Sequence, residues 1–338
     1  MSVARRFRPR PIVGLLALAF TAGCASQPWR EQRISSIGAE PRPYMRVVRP
    51  DTNTIALQIA LRRFVPSKGR GPDVWLTGAS HLGESNYFAR LQRHLGAQSL
   101  VLYEGVGGKS KGRMRFDPAE ESSIQHTMAA ALGLVFQLSA IDYDRPQFRN
   151  SDLTIPQLQR LLSGEAADAP GTGAGGTGGG REFQELMGVM DGSSVLGTLM
   201  HLGFKLIGGN PKLRAMTKVV MIETLGQLTG DMAQMKGMPP EIQRLLEVII
   251  QERNKVVLHD LRQEVLAPRP VRAMSVFYGA GHMADLEKRL RSELGYRPRS
   301  EIWLTAMAVD LRQAGLTPAE MEMMRGLIRW QLDALKGE

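Results

Sequence analysis

The chain has 338 residues, 43% of them apolar and 22% charged, with a formal net charge of +10. That balance excludes a disordered or fibrous chain and is enough for one large buried core. A lone cysteine excludes disulfides and thiolate metal sites, and the basic charge comes without a nucleic-acid-binding motif.

In chain order, the first feature is a leader. Arg5, Arg6, Arg8 and Arg10 form a positive stretch, and Ile12 to Phe20 is apolar but short for a bilayer span. Thr21-Ala22-Gly23-Cys24 follows. This order resembles a bacterial lipoprotein signal over residues 1–23, with Cys24 lipidated and holding the protein to a membrane. An ordinary cleaved signal with an incidental Cys24 is the plain alternative. Ala25-Ser26, with no aspartate after the cysteine, implies the outer membrane of the cell envelope, facing the periplasm. Without the leader arginines the chain carries about +6, a mild charge suited to an anionic surface. Residues 24–50 are rich in Pro, Arg and Ser, which predicts a tether.

Residues 51–163 predict the first half of an α/β domain. Strands are expected over 53–65 and Val74 to Thr77, a helix over Glu84 to Leu95, and a buried strand over Ser99 to Tyr103. Ser122 to Leu138 reads as one apolar helix. Residues 164–180, mostly Gly, Ala, Pro and Thr, predict a disordered linker. Residues 181–267 predict a helical insertion of about three helices, broken at Gly208-Gly209-Asn210-Pro211 and at Pro239-Pro240. Residues 268–338 predict the second half of the same domain. It has strands at Ala273 to Tyr278 and Ile302 to Val309, a helix at Ala284 to Leu294, and a capping box at Thr317-Pro318-Ala319-Glu320 opening a last helix. The expected fold is α/β, a central mainly parallel sheet flanked by helices, with an inserted helical region.

Two matching motifs carry the chemistry. Gly78-Ala79-Ser80-His81 follows Val74-Trp75-Leu76, and Gly279-Ala280-Gly281-His282 follows Val276-Phe277-Tyr278. Leu100 to Tyr103 delivers Glu104 in the same way. Ligands of open α/β sheets gather beyond the carboxyl ends of the strands, so these three groups are candidates for one site. Histidine titrates near neutrality and binds metals, although His81 and His282 could equally cap helices. Glu104 is a candidate base or ligand, or the partner of Arg113 or Arg253. Arg253 could clamp an oxyanion or sit on a solvated helix face. Asp142, Asp144, Arg145 and Asp152 form a polar cluster that is either a cleft or a loop. His94, His126, His201 and His259 have no motif and are expected to pack or face solvent.

Together the two Gly-x-x-His motifs, Glu104, Glu252-Arg253-Asn254 and Tyr278-Gly279-Ala280-Gly281-His282-Met283 resemble the TraB/GumN/TIKI family. That family belongs to a wider group with erythromycin esterases and ChaN haem-binding lipoproteins. The resemblance spans roughly residues 50–310 and departs at Ala79 and at the Gly-rich stretch. It implies the fold of that wider group and a hydrolase of peptide or protein substrates. His81, Glu104 and His282 would then hold a divalent ion (Mn, Co or Zn), or activate water without one, and Arg253 would stabilise charge. It also implies two rivals: haem binding through Tyr87, Tyr103 or Tyr278 with a histidine, and a structural envelope protein without catalysis.

Overall fold

A computed structural model describes residues 30–105, 124–162, 203–227, 245–267 and 271–336. The signal, Cys24, Arg113, His201, the Gly-rich stretch and part of the helical insertion lie outside the described residues.

The strands are β1 (Gln32–Arg33), β2 (Met45–Val48), β3 (Thr54–Pro66), β4 (Asp73–Ala79), β5 (Leu82–Gly83), β6 (Leu100–Tyr103), β7 (Val135–Phe136), β8 (Phe148–Asn150), β9 (Ala273–Gly279) and β10 (Tyr296–Asp310). The helices are α1 (Ser85–Gly96), α2 (Ile124–Leu132), α3 (Gln137–Ala140), α4 (Ile155–Leu162), α5 (Pro211–Gln227), α6 (Arg253–Val265), α7 (Met283–Glu293) and α8 (Pro318–Lys336). A π-helical turn, Glu247–Glu252, leads into α6, and a 3-10 turn, Ala280–His282, leads into α7.

One sheet runs β1-β10-β3-β4-β9-β6-β8, with β2 also paired to β3. Its period-2 strands bury both faces. Ile55, Leu57, Ile59 and Leu61 of β3 face a core shared with α1, α2, α5 and α8. Ala60 and Phe64 face the other way, toward Val257 and Leu261 of α6 and Leu286 and Leu290 of α7. The result is a sheet covered by helices on both faces.

Both ends of the chain build this sheet. β4 and β9 pair in parallel over seven residues, from Asp73 opposite Ala273 to Ala79 opposite Gly279. The strands β4, β9, β6 and β8 are mutually parallel, as expected. The rest departs from a mainly parallel sheet, because β1, β2, β3 and β10 are joined antiparallel. The connection from β3 to β4 is a short turn. It can join only antiparallel neighbours, whereas a parallel pair needs a crossover.

Two further expectations change. The tether does not extend through residues 30–50, since β1 and β2 join the sheet and Tyr44 is buried, its hydroxyl donating to Glu287 at 2.8 Å. The cause is Arg62, 1% exposed on β3. Its guanidinium donates to Glu287 and Glu301 and to the carbonyls of Arg42 and Pro43. A buried charge needs those partners, and the segment supplies two of them. The long helix expected over Ser122 to Leu138 ends at Leu132, because Gly133 turns the backbone to φ +64°. Val135 and Phe136 then pair with β5. The Thr317–Glu320 capping box forms as expected, each residue's backbone N–H meeting the other's side chain.

Candidate functional site

The parallel strands β4, β9 and β6 end at one edge. Glu104 follows Tyr103 at the end of β6, and its backbone N–H donates to the Phe277 carbonyl at 3.0 Å. His81 follows β4, and His282 closes the turn after β9. A Cβ placed on Gly279 would lie 3.4 Å from Glu104 Oε2, 3.5 Å from His81 Nε2 and 3.7 Å from His282 Cδ2. The three candidate groups therefore surround the empty side of one glycine. His282 Nε2 is 3.6 Å from Glu104 Oε1.

Arg253 joins them at the start of α6. Its Nη2 donates to Glu104 Oε1 at 2.7 Å and to Asp152 Oδ2 at 2.6 Å, and its Nε donates to Asp152 Oδ1 at 2.9 Å. The Gly279 N–H donates to Glu104 Oε2 at 2.6 Å. Burial pushes the Glu104 carboxyl up, but His282, Arg253, His81 and the Gly279 amide outweigh it and hold the group at about 2. Glu104 is a fixed anion at neutral pH and too weak a base to take a proton from water. Arg253 is buried, yet its two carboxylates keep it charged above its ordinary range.

Each histidine is held by an amide. Asn254 donates through Nδ2 to the His282 carbonyl and to Asp285, so its Oδ1 is an acceptor. His282 Nδ1 lies 2.8 Å from that oxygen and must carry the proton, leaving Nε2 bare in the neutral ring. Likewise Gln137 donates through Nε2 to the Tyr143 hydroxyl, and its Oε1 receives His81 Nδ1 at 3.2 Å. Both rings thus offer a bare Nε2. Burial lowers the pKa of His282, partly offset by Glu104, so the neutral ring dominates near pH 7.

A cavity of about 470 Å³ opens over these groups. His81, Glu104, Arg253 and His282 line one part of it. Met45, Leu57, Met128, Met221, Leu225 and Ile249 are among the aliphatic residues on the rest. Gly226 lets α5 approach β2 closely, since a Cβ there would overlap Val47.

The sequence motifs named four of the residues brought together. Asp152 was legible only as part of a polar cluster, which divides: Asp152 enters the site, whereas Arg145 pairs with Asp142 at the surface. Its signal, a position just past the end of β8, was hidden because Phe148-Arg149-Asn150 has no apolar run. Asn254 and Gln137 had no signal as histidine partners. His94 is buried against Trp75 and Thr77, and His259 is exposed beside Gln263.

The donor set suits a divalent ion only in part. The two bare Nε2 atoms are suitable ligands, but a guanidinium already occupies the Glu104 oxygen that faces His282. Among the described residues no group of three His, Cys, Asp or Glu side chains is disposed to hold a metal. Haem ligation by tyrosine does not fit. Tyr87, Tyr103 and Tyr278 are buried outside the cavity wall, and burial raises all three phenols. The Tyr87 hydroxyl accepts from Ser80 N–H, and that of Tyr278 donates to the Ser151 carbonyl. No family model, curated protein or solved structure matches this chain.

Proposed function

We propose that this chain is a hydrolase in which His282 takes a proton from a water molecule held beside Gly279. The observation that carries this is the vacant side of Gly279, flanked by Glu104, His81 and His282 within 3.7 Å of one point. A water held beyond that side of the glycine, between the three groups, gives up its proton to His282 Nε2, and its oxygen bonds to the carbonyl carbon of the substrate. Asn254 keeps the opposite ring nitrogen protonated. Glu104, a carboxylate at every physiological pH, stabilises the imidazolium that forms. The bond to the leaving group then breaks, and His282 returns the proton to it. The Nε2 of His81 holds the second hydrogen of the water.

Arg253 differs from the oxyanion clamp expected of it. Nε and Nη2 are committed to carboxylates, so its main task is to hold Glu104 in place. The turn Ala280–His282 opens the helical run into α7. Backbone N–H groups at the start of such a run lack helical partners, and Gly281 lines the cavity, which makes its amide a candidate oxyanion donor.

The resemblance to the TraB/GumN/TIKI family supports a hydrolase, and the Cys24 motif supports lipid anchoring in the cell envelope. A divalent ion is the second reading, favoured by the two bare Nε2 atoms. When bound it would polarise the substrate carbonyl and acidify water. Among the described residues no helix is long and apolar enough to cross a membrane.

The test is hydrolysis of an ester and peptide panel by wild type, His81→Ala, His282→Ala and Glu104→Gln, with metal content measured on each. Each variant should lose about 100-fold or more in kcat while remaining folded. Full turnover in both alanine variants would sink the assignment. One equivalent of bound metal, lost in both variants, would select the metal-dependent form.

A further inference from the structure

We propose that the substrate is a neutral ester carrying a flexible aliphatic chain, and that the chain lies in the cavity beside Gly279. This rests on the hydrolase reading of the site.

The wall chemistry carries the argument. Three methionines from three elements line the cavity: Met45 of β2, Met128 of α2 and Met221 of α5. Leu57 and Ile59 of β3 add to the wall, with Leu246, Ile249 and Ile250 around the π-helical turn. Methionine and leucine adapt to a flexible chain. The described lining contains no Phe, Tyr or Trp, so it offers no face on which a planar ring would stack.

Charge narrows the choice. Arg253 is the only cation among the described lining side chains other than histidine, and Glu104 and Asp152 already engage it. Among the described lining residues a substrate carboxylate or phosphate finds no free counter-charge, which favours a neutral reacting end. A peptide backbone would bring a donor and an acceptor per residue into the cavity. Among the described lining residues away from the proposed catalytic groups, only Ser80 and Gln125 have polar side chains, and the Ser80 hydroxyl is spent on the Leu82 carbonyl. Unpaired amides there would oppose binding. A hydrocarbon chain makes no such demand, and the volume of about 470 Å³ is of ligand size.

The experiment uses the full chain and p-nitrophenyl esters of acetate, butyrate, octanoate and palmitate. kcat/KM should rise at least about tenfold from acetate to octanoate, each buried methylene adding affinity. Met221→Trp, which fills the cavity, should move the optimum to shorter chains, and Met221→Ala to longer ones. Separately, calorimetric titration with butanamide, octanamide and decanamide reads binding without turnover. Affinity rising with length, with a negative heat-capacity change, supports the aliphatic site even if no ester is hydrolysed, in which case only the hydrolase reading fails. Turnover that is flat with chain length, or amide affinity that is flat, overturns the proposal while leaving a hydrolase in place.

Discussion

Replacing Gly279 with alanine separates catalysis from folding. The backbone there has φ −52° and ψ 142°, which alanine adopts without strain. The added methyl would meet Glu104 Oε2, His81 Nε2 and His282 Cδ2 at 3.4, 3.5 and 3.7 Å, ordinary contact distances. Removing the freedom of a glycine from the unfolded chain is worth about 0.4–1 kcal/mol, so stability should stay equal or rise slightly. The methyl, however, projects between these three groups and crowds out the water proposed to sit just beyond the glycine. Loss of the activated water removes the general-base contribution, about 10²- to 10⁴-fold in kcat. The assay pairs urea unfolding with hydrolysis of the best ester in the chain-length series. A folded Gly279→Ala protein that hydrolyses within tenfold of wild type would refute the placement of the water, and with it the mechanism.

Arg253→Met should cost about 3–5 kcal/mol at pH 7, since it strands two buried carboxylates. Urea unfolding checks this; a change under about 1 kcal/mol contradicts the clamp. Wild-type stability should fall in acid. Glu104 sits at about 2 when folded against an ordinary 4.5, so its contribution of about 3 kcal/mol is complete above pH 4.5 and is lost on descent toward pH 2. The acid limb of kcat/KM should have its midpoint below 6.5, because burial lowers His282 and the neutral ring is the base; a midpoint above 7 contradicts that role. Asn254→Leu should lower kcat about 100-fold or more by releasing the ring tautomer, with KM nearly unchanged. Cys24→Ser should move the protein from the membrane fraction to the soluble one; unchanged fractionation argues against the lipid anchor.

The sequence by itself determined the strand ends and what they present. Short apolar runs before Gly78 and Gly279, and before Glu104, are buried strands whatever their neighbours, and position along the chain alone puts His81, Glu104 and His282 just beyond them. Helix signals of the same local kind, such as the Thr317 capping box and the spacing of Tyr87, Phe88, Leu91 and Leu95, also held. Local sequence carries no information on which strands pair. Tertiary structure alone set β4 beside β9, turned β3 and β10 into an antiparallel flank, and drew residues 30–50 onto Arg62. It also decided the partners of the candidate groups. Asp152 comes from just past β8, Asn254 from α6 and Gln137 from α3, and each accepts a hydrogen bond from a group distant in the chain. Such bonds follow from the packing of whole elements. The cavity has the same origin: it lies between β2, β3, α2, α5 and the π-helical turn, none of which shows it alone.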